Sequence, residues 1–257
     1  MKSKAVVDAW ILTLLIGSML GGSGHREALA QDFYTRDIID TPTAGLLPRG
    51  SYMLGLRAYP EGGIIAMIGV GLLERLELGL SFGGTNVIGE GDVDWNPGVE
   101  FAGRYRLFDE TLVTPALAIG FDSQGWGRYR REAERYDVKS RGFYGVLSKN
   151  YSFLGQLGIH LGANVSLEGK GDDKHRPNIF FSLQKSLNPD LYIVAEYDLP
   201  ITGNSVAEDI DSGVGFINAG VRFLVDEHLF LELDLRNINQ NAKDSGRTLR
   251  IAYQNGF

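Results

Sequence analysis

From Ser51 to Phe257 the chain alternates apolar and polar positions with a period of two, the spacing of a strand with one apolar face. Leu76, Leu78, Leu80 and Phe82 fall on one face of a run whose other face is Glu77, Gly79, Ser81 and Gly83. In 156–167, Leu157, Ile159, Leu161, Ala163, Val165 and Leu167 alternate with Gln156, Gly158, His160, Gly162, Asn164 and Ser166. In 229–236, Leu229, Leu231, Leu233 and Leu235 alternate with Phe230, Glu232, Asp234 and Arg236. Less regular versions cover 51–59, 63–72, 98–107, 111–121, 178–187, 191–199, 214–224 and 247–257, and 141–149 leaves its apolar face open. The pattern predicts twelve strands of about 8–11 residues, close to the length a tilted strand needs to cross a bilayer.

The connections alternate in length. Leu73-Glu74-Arg75, Phe108-Asp109-Glu110, Asn188-Pro189-Asp190 and Val225 to His228 are tight, and Asn150 to Gly155 is slightly longer. Between them lie longer polar stretches at 86–97, 122–140, 168–177, 200–213 and 237–246. The tight Pro60-Glu61-Gly62 is the one exception. Short turns at one rim and long loops at the other are the signature of an all-β, transmembrane up-and-down antiparallel β-barrel, here of about twelve strands. A soluble β-sandwich has no reason to keep that asymmetry. With no water in the hydrocarbon to satisfy an open edge, the sheet must close, so 247–257 is expected to pair with 51–59.

The face opposite the leucines is not ordinary surface. It mixes Gly, Ser and Asn with charges of both signs: Arg57, Glu77, Glu100, Arg104, Arg106, His160, Glu196, Asp198, Arg222, Glu232, Asp234, Arg236 and Arg250. These are the expected lumen-lining residues, because opposite charges pair across a lumen and glycines leave room for long arginines. Twelve strands also enclose more space than one leucine layer fills, since side chains pack a barrel of about eight strands. The leucines are therefore expected to face lipid. Tyr52, Tyr105, Phe223 and Phe257 fall toward one rim and Phe82, Phe121 and Tyr197 toward the other, as in the aromatic girdles of such barrels. Leu249, Ile251, Tyr253 and Phe257 alternate to the last residue, which resembles the signal read by the barrel-assembly machinery of Gram-negative outer membranes.

Composition narrows the chemistry further. The 34 glycines among 257 residues favour turns and strands over helices. The absence of Cys excludes disulfides, Cys-ligated zinc and thiol catalysis, and four His without an HExxH spacing leave no metal site to assign. A net charge of −7 without a Lys/Arg-rich run argues against nucleic acid as a partner. Lys2 and Lys4, the apolar run Ala9 to Leu20 and the small-x-small Ala28-Leu29-Ala30 read as a signal peptide over 1–30, cleaved before Gln31. Residues 31–50 are then a periplasmic N-terminal segment, disordered or folded into the barrel mouth as a short plug, and 51–257 are the barrel.

Several segments resemble a group of uncharacterised bacterial outer-membrane barrels: Thr41-Pro42-Thr43-Ala44-Gly45, the run Gly91-Asp92-Val93-Asp94-Trp95-Asn96-Pro97-Gly98, the run Gly120-Phe121-Asp122-Ser123-Gln124-Gly125, Ser148-Lys149-Asn150 and Ala195-Glu196-Tyr197-Asp198. The Thr-Pro-Thr-Ala stretch followed by Leu47-Pro48-Arg49-Gly50 is similar to the start of YjbH-type barrels from exopolysaccharide operons. That likeness implies a role around envelope polysaccharide; it supplies no catalytic residue.

No enzyme site assembles from the residues. His160 reads as a hydrogen-bonding lumen group, Asp122 and Ser123 make no triad with a placed His, and Gly169 to Lys174 miss the calcium-loop spacing. Arg128 to Arg135 form a locally basic loop able to meet lipopolysaccharide phosphates or to stay an ordinary charged loop. Arg222, Arg236 and Arg250 are expected to form a ladder, serving either as an anion filter or as bracing for a blocked lumen. The sequence thus points to a passive channel or export-linked barrel for a small polar solute or saccharide, or to a non-conducting, polysaccharide-associated barrel. No cofactor is expected. The expected partners are outer-membrane lipid, lipopolysaccharide and the assembly machinery.

Overall fold

The computed structural model describes residues 35–170, 177–200, 215–239 and 246–257. The expected leader at 1–30, most of the loops 200–213 and 237–246, and the Gly171 to Lys174 part of the charged loop lie outside the described residues. Every described element is a strand: β1 (Asp37–Ile38), β2 (Thr41–Pro42), β3 (Ser51–Tyr59), β4 (Gly63–Leu73), β5 (Leu76–Thr85), β6 (Asp94–Trp95), β7 (Glu100–Phe108), β8 (Ala116–Asp122), β9 (Trp126–Arg130), β10 (Arg135–Val138), β11 (Gly142–Ser152), β12 (Gln156–Val165), β13 (Pro177–Ser186), β14 (Leu191–Pro200), β15 (Phe216–Leu224), β16 (Leu229–Arg236) and β17 (Gly246–Gly256). Twelve of these, β3–β5, β7, β8 and β11–β17, pair antiparallel with their chain neighbours. β17 then pairs with β3 and closes the barrel. The closing ladder runs from Leu249↔Ala58 to Gly256↔Ser51, and the Phe257 amide donates to the Gly50 carbonyl at 2.8 Å.

Three local departures from the sequence reading have physical causes. The fifth barrel strand, β8, begins at Ala116, not at 111, so the turn after β7 is longer than Phe108-Asp109-Glu110. The Thr111 hydroxyl accepts the Val113 and Thr114 amides at 3.2 and 3.0 Å, which fixes a turn where alternation suggested a strand. The 122–140 loop contains a hairpin of its own, β9 against β10, and Asp94–Trp95 adds a short flap to β5 that lays Trp95 on Phe82 at 5.5 Å. The tight Pro60-Glu61-Gly62 turn needs positive φ at Glu61 and Gly62. A side chain at Gly62 would run into the Ile88 carbonyl at 1.9 Å, so glycine is required where the 86–97 loop folds onto that turn.

The two faces of the sheet separate as the alternation predicts. Leu54, Leu56, Leu80, Ile119, Leu147, Leu161, Ile193, Val221 and Leu233 point outward and are 41–55% exposed. Arg57, Glu77, Arg104, Glu196, Arg222, Glu232 and Asp234 point inward and are buried. The segment 141–149, ambiguous in sequence, turns Tyr144, Val146 and Ser148 inward and Phe143 and Leu147 outward. At one rim Tyr52 lies between Tyr253 and Phe257, with ring centroids 6.3 and 6.4 Å away.

An outer face of this kind is stable only against an apolar solvent. Leu233→Arg, at the middle of β16, should therefore cost about 2–4 kcal/mol in lipid vesicles. Glu227→Arg, in the neighbouring turn, should stay within about 0.5 kcal/mol. Denaturant titration of the vesicle-folded protein reads both, and equal effects would mean that the leucine face does not meet hydrocarbon.

Candidate functional site

Inside the barrel runs the protein's own chain. Residues 35–50 enter at Gly50, beside the closing strands, and double back at a small hairpin in which Asp37 faces Pro42 and Ile38 faces Thr41. Ile39 takes a positive φ of 50° at the tip, and the Thr43 amide donates to the Arg36 carbonyl at 2.9 Å. The segment has the composition of a core piece: Ile38, Ile39, Leu46 and Leu47 are 0–2% exposed. Ile38 and Ile39 pack on Val194; Leu47 packs on Met53, Phe230 and Ala252; Ala44 packs on Ala118, Tyr144 and Phe180.

Two barrel carboxylates hold the segment by its backbone. Glu196 accepts the Asp40 and Thr41 amides, both at 2.9 Å, while the Asn218 side chain donates to its other oxygen at 2.6 Å. Glu77 accepts the Leu47 amide at 2.9 Å and pairs with Arg36. The arginines complete the grip. Arg104 reaches Asp37 at 2.7 Å and also donates to the Arg36 and Gly45 carbonyls. Arg106 donates to the Ala44 carbonyl at 2.9 Å. Arg57 meets Asp40 at 2.7 Å, and Arg236 also pairs with Asp40.

The expected ladder of Arg222, Arg236 and Arg250 is corrected by the register. Arg222 faces Glu232, Glu232 faces Arg250, and Arg250 faces Arg57, so one carboxylate sits in a row of three arginines across four strands. Arg236 lies four residues further along β16, opposite Gly246, and belongs to the Asp40 cluster. Asp234 lies 3.6 Å from Arg57 and accepts the Thr248 hydroxyl. Asp198 pairs with Arg141 at 2.6 Å, His160 Nδ1 bonds the Ser148 hydroxyl at 2.8 Å, and Glu100 accepts the Tyr136 hydroxyl at 2.9 Å. Leu249 and Ile251 face outward, Tyr253 is half-buried, and Phe257 is exposed at the rim. The basic loop is neutralised largely from neighbouring loops, with Arg128 near Glu61 and Asp94, Arg131 on Asp94, and Arg130 on Asp137 of its own hairpin. Ser123 is bonded to the Phe101 backbone rather than to any base.

Sequence reasoning missed Arg36, Asp37, Asp40, Arg141 and Trp126. The first three lie in a stretch with no strand pattern to orient them. Arg141 flanks a strand. Trp126 starts the β9 hairpin and lies over the Arg57 guanidinium at 4.0 Å, a cation–π contact visible only in three dimensions.

The segment does not fill the lumen. A cavity of about 90 Å³ remains between it and the β4–β8 wall, where Gly79, Ser81 and Ala102 present almost no side chain. Arg104 of the same wall, Arg36 and Asp37 of the segment and Trp126 of β9 also line it.

No family model and no curated protein matches this chain. Among solved structures it is similar to the KdgM porin, with 12% identity and a TM-score of 0.48, covering 80% of this chain and 99% of that one. The outer membrane channel COG4313 from Pseudomonas putida F1 gives 12% identity and a TM-score of 0.45, covering 82% and 97%. The NanC porin gives 9% and 0.42, covering 80% and 99%.

Burial acts to raise the pKa of Asp37, but Arg104, Arg36 and Arg250 outweigh it and hold this carboxyl at about 2. A carboxyl depressed on folding contributes stability in full above its ordinary value of 3.8 and loses it as the pH falls through about 2. Hydrogen exchange of the 35–50 amides, corrected for the intrinsic rate at each pH, should therefore show constant protection from neutral pH down to that ordinary value and a loss below it. Glu77→Ala, which leaves Arg36 buried without its partner, should cost about 3–5 kcal/mol of segment docking and remove the protection already at neutral pH. Unchanged exchange in Glu77→Ala would mean that Glu77 does not hold the segment.

Proposed function

We propose that this protein is an outer-membrane channel for small polar solutes, with residues 35–50 serving as a plug in its lumen. The observation that carries the reading is the inversion of the molecule: a closed strand cylinder with leucines outside and paired charges inside, and a cavity of about 90 Å³ beside the plug that Arg36, Asp37 and Arg104 help to line. A barrel built only as a scaffold could fill its centre with apolar side chains. This one instead keeps Gly79, Ser81 and Ala102 along one wall and leaves space there.

The remaining expectations follow from this placement. Cleavage after Ala30 would release the chain on the periplasmic side, where Gly50 enters the barrel. Leu249, Ile251, Tyr253 and Phe257 would then serve as the assembly signal, and the outer loops would meet lipopolysaccharide. The reading assigns no catalysis to the chain.

A second reading has its own support. Every lumen arginine named above has a carboxylate, aromatic or carbonyl partner, which is the arrangement of a braced, silent barrel. Planar-bilayer recording separates the two. On the channel reading the full chain shows small, steady conductance, and deletion of residues 35–47 raises it at least ten-fold. A folded barrel that stays silent with and without those residues would decide for the non-conducting reading.

A further inference from the structure

The lumen has two chemically different walls. From β14 through β3 the inward positions carry Glu196, Asp198, Arg222, Glu232, Arg250 and Arg57. On β11–β13 they carry no acid and no permanent base. The inward residues of β11 include Tyr144, Val146, Ser148 and Asn150; those of β12 are Gln156, Gly158, His160, Gly162 and Asn164; those of β13 are Asn178, Phe180, Ser182, Gln184 and Ser186. Three neighbouring strands thus offer amides, hydroxyls and one imidazole, interrupted by aromatic rings.

The plug is held mainly by the charged wall and only sparsely by this one. Its ion pairs and backbone bonds go mainly to the charged residues, whereas toward β11–β13 it presents β1, β2 and Ala44. Two hydrogen bonds reach it there: the Ala44 amide donates to Ser148 at 2.8 Å and the Thr35 hydroxyl donates to the Gln184 side-chain oxygen at 2.9 Å. The cost shows in side chains that are 0–3% exposed. Both amide atoms of Asn178, the Ser182 hydroxyl, the Asn164 carbonyl oxygen and His160 Nε2 have no hydrogen-bond partner among the described residues. They are contiguous, because Asn164 faces Asn178 and His160 faces Ser182 across the β12–β13 ladder. A buried polar group without a partner destabilises the fold and calls for an explanation in function. An apolar wall would have suited this plug better.

We propose that the lumen face of β11–β13 is a binding track for a neutral, polyhydroxylated solute, a saccharide unit, which takes the place of the plug. Vicinal hydroxyls both donate and accept, as Asn178, Asn164, Ser182 and His160 require; the cation over the Phe180 ring, Arg141 at 5.3 Å, is already paired with Asp198, so a charged sugar gains no unmatched partner there. Phe180 lies in the same row, opposite Gly162, where the missing side chain leaves its ring room on the wall. The inference rests on the reading of residues 35–50 as a displaceable plug.

The test is isothermal titration of the detergent-folded full chain with maltotriose, and with trigalacturonate as a polyanionic sugar of equal length. Glu77→Ala, which loosens the plug, should bind maltotriose at least ten-fold more tightly than the unaltered chain, and more tightly than it binds trigalacturonate. Asn178→Leu and Ser182→Val should each weaken maltotriose at least ten-fold, both alone and in the Glu77→Ala background. Heat-modifiable gel mobility verifies that each variant is folded. Absence of maltotriose binding in Glu77→Ala, a preference for trigalacturonate, or weakening only where Glu77 is intact would overturn the track. Conductance without maltotriose binding removes the track and leaves the channel; binding without conductance removes the channel and leaves the track.

Discussion

A closed sheet that turns its apolar side chains outward can place charge only in its lumen, and a charge placed there must meet an opposite one. That constraint governs this molecule. Glu232 sits among Arg222, Arg250 and Arg57, so the row carries more positive than negative charge. The balance is made up from outside the row. Asp234 approaches Arg57 from the next position on the same strand, and Asp40 approaches it from the plug. Arg104 is balanced by Asp37 of the plug in the same way. The segment is therefore part of the electrostatic closure of the barrel as well as an obstruction in it.

The same constraint explains why the two walls differ. The charged wall needs the plug's carboxylates and backbone groups, and it binds them with short, well-directed bonds. The neutral wall needs nothing from the plug electrostatically and is left with unmatched amides and hydroxyls. A plug anchored on one side and sparsely held on the other can be held firmly without being held everywhere, and the cavity along the β4–β8 wall runs past Gly79, Ser81 and Ala102.

The parts of this arrangement that depend on local periodicity were legible in the sequence. A period of two in Leu76 to Phe82, or in Leu157 to Val165, declares both the strand and the face that each side chain takes. The closure of 247–257 on 51–59 followed from the need to leave no open edge. The stretch 111–115 misled because its alternation competes with a Thr111 hydroxyl that organises a turn. The arginine row was misjudged because register couples strands far apart in sequence: Arg250 faces Arg57 across the closing seam, and Arg236 is displaced from that row. Arg36, Asp37 and Asp40 belong to a stretch with no period, so nothing local announces that they meet Glu77, Arg104 and Arg57.

How the plug is recognised bears on what controls it. Glu196 binds two consecutive backbone amides at the hairpin tip, and Glu77 binds the backbone amide of Leu47. Arg104 and Arg106 add bonds to the carbonyls of Arg36, Gly45 and Ala44. Main-chain groups are the same whatever side chains the segment carries. The specificity of the closed state is therefore written chiefly in barrel residues, and substitutions within residues 35–50 act mainly through Asp37, Asp40 and the buried isoleucines. Docking that rests largely on backbone is governed from the barrel side: neutralising Glu196 withdraws the acceptor of two consecutive amides, which no side-chain change within the segment can do, although altering Asp40 withdraws the partner of both Arg57 and Arg236.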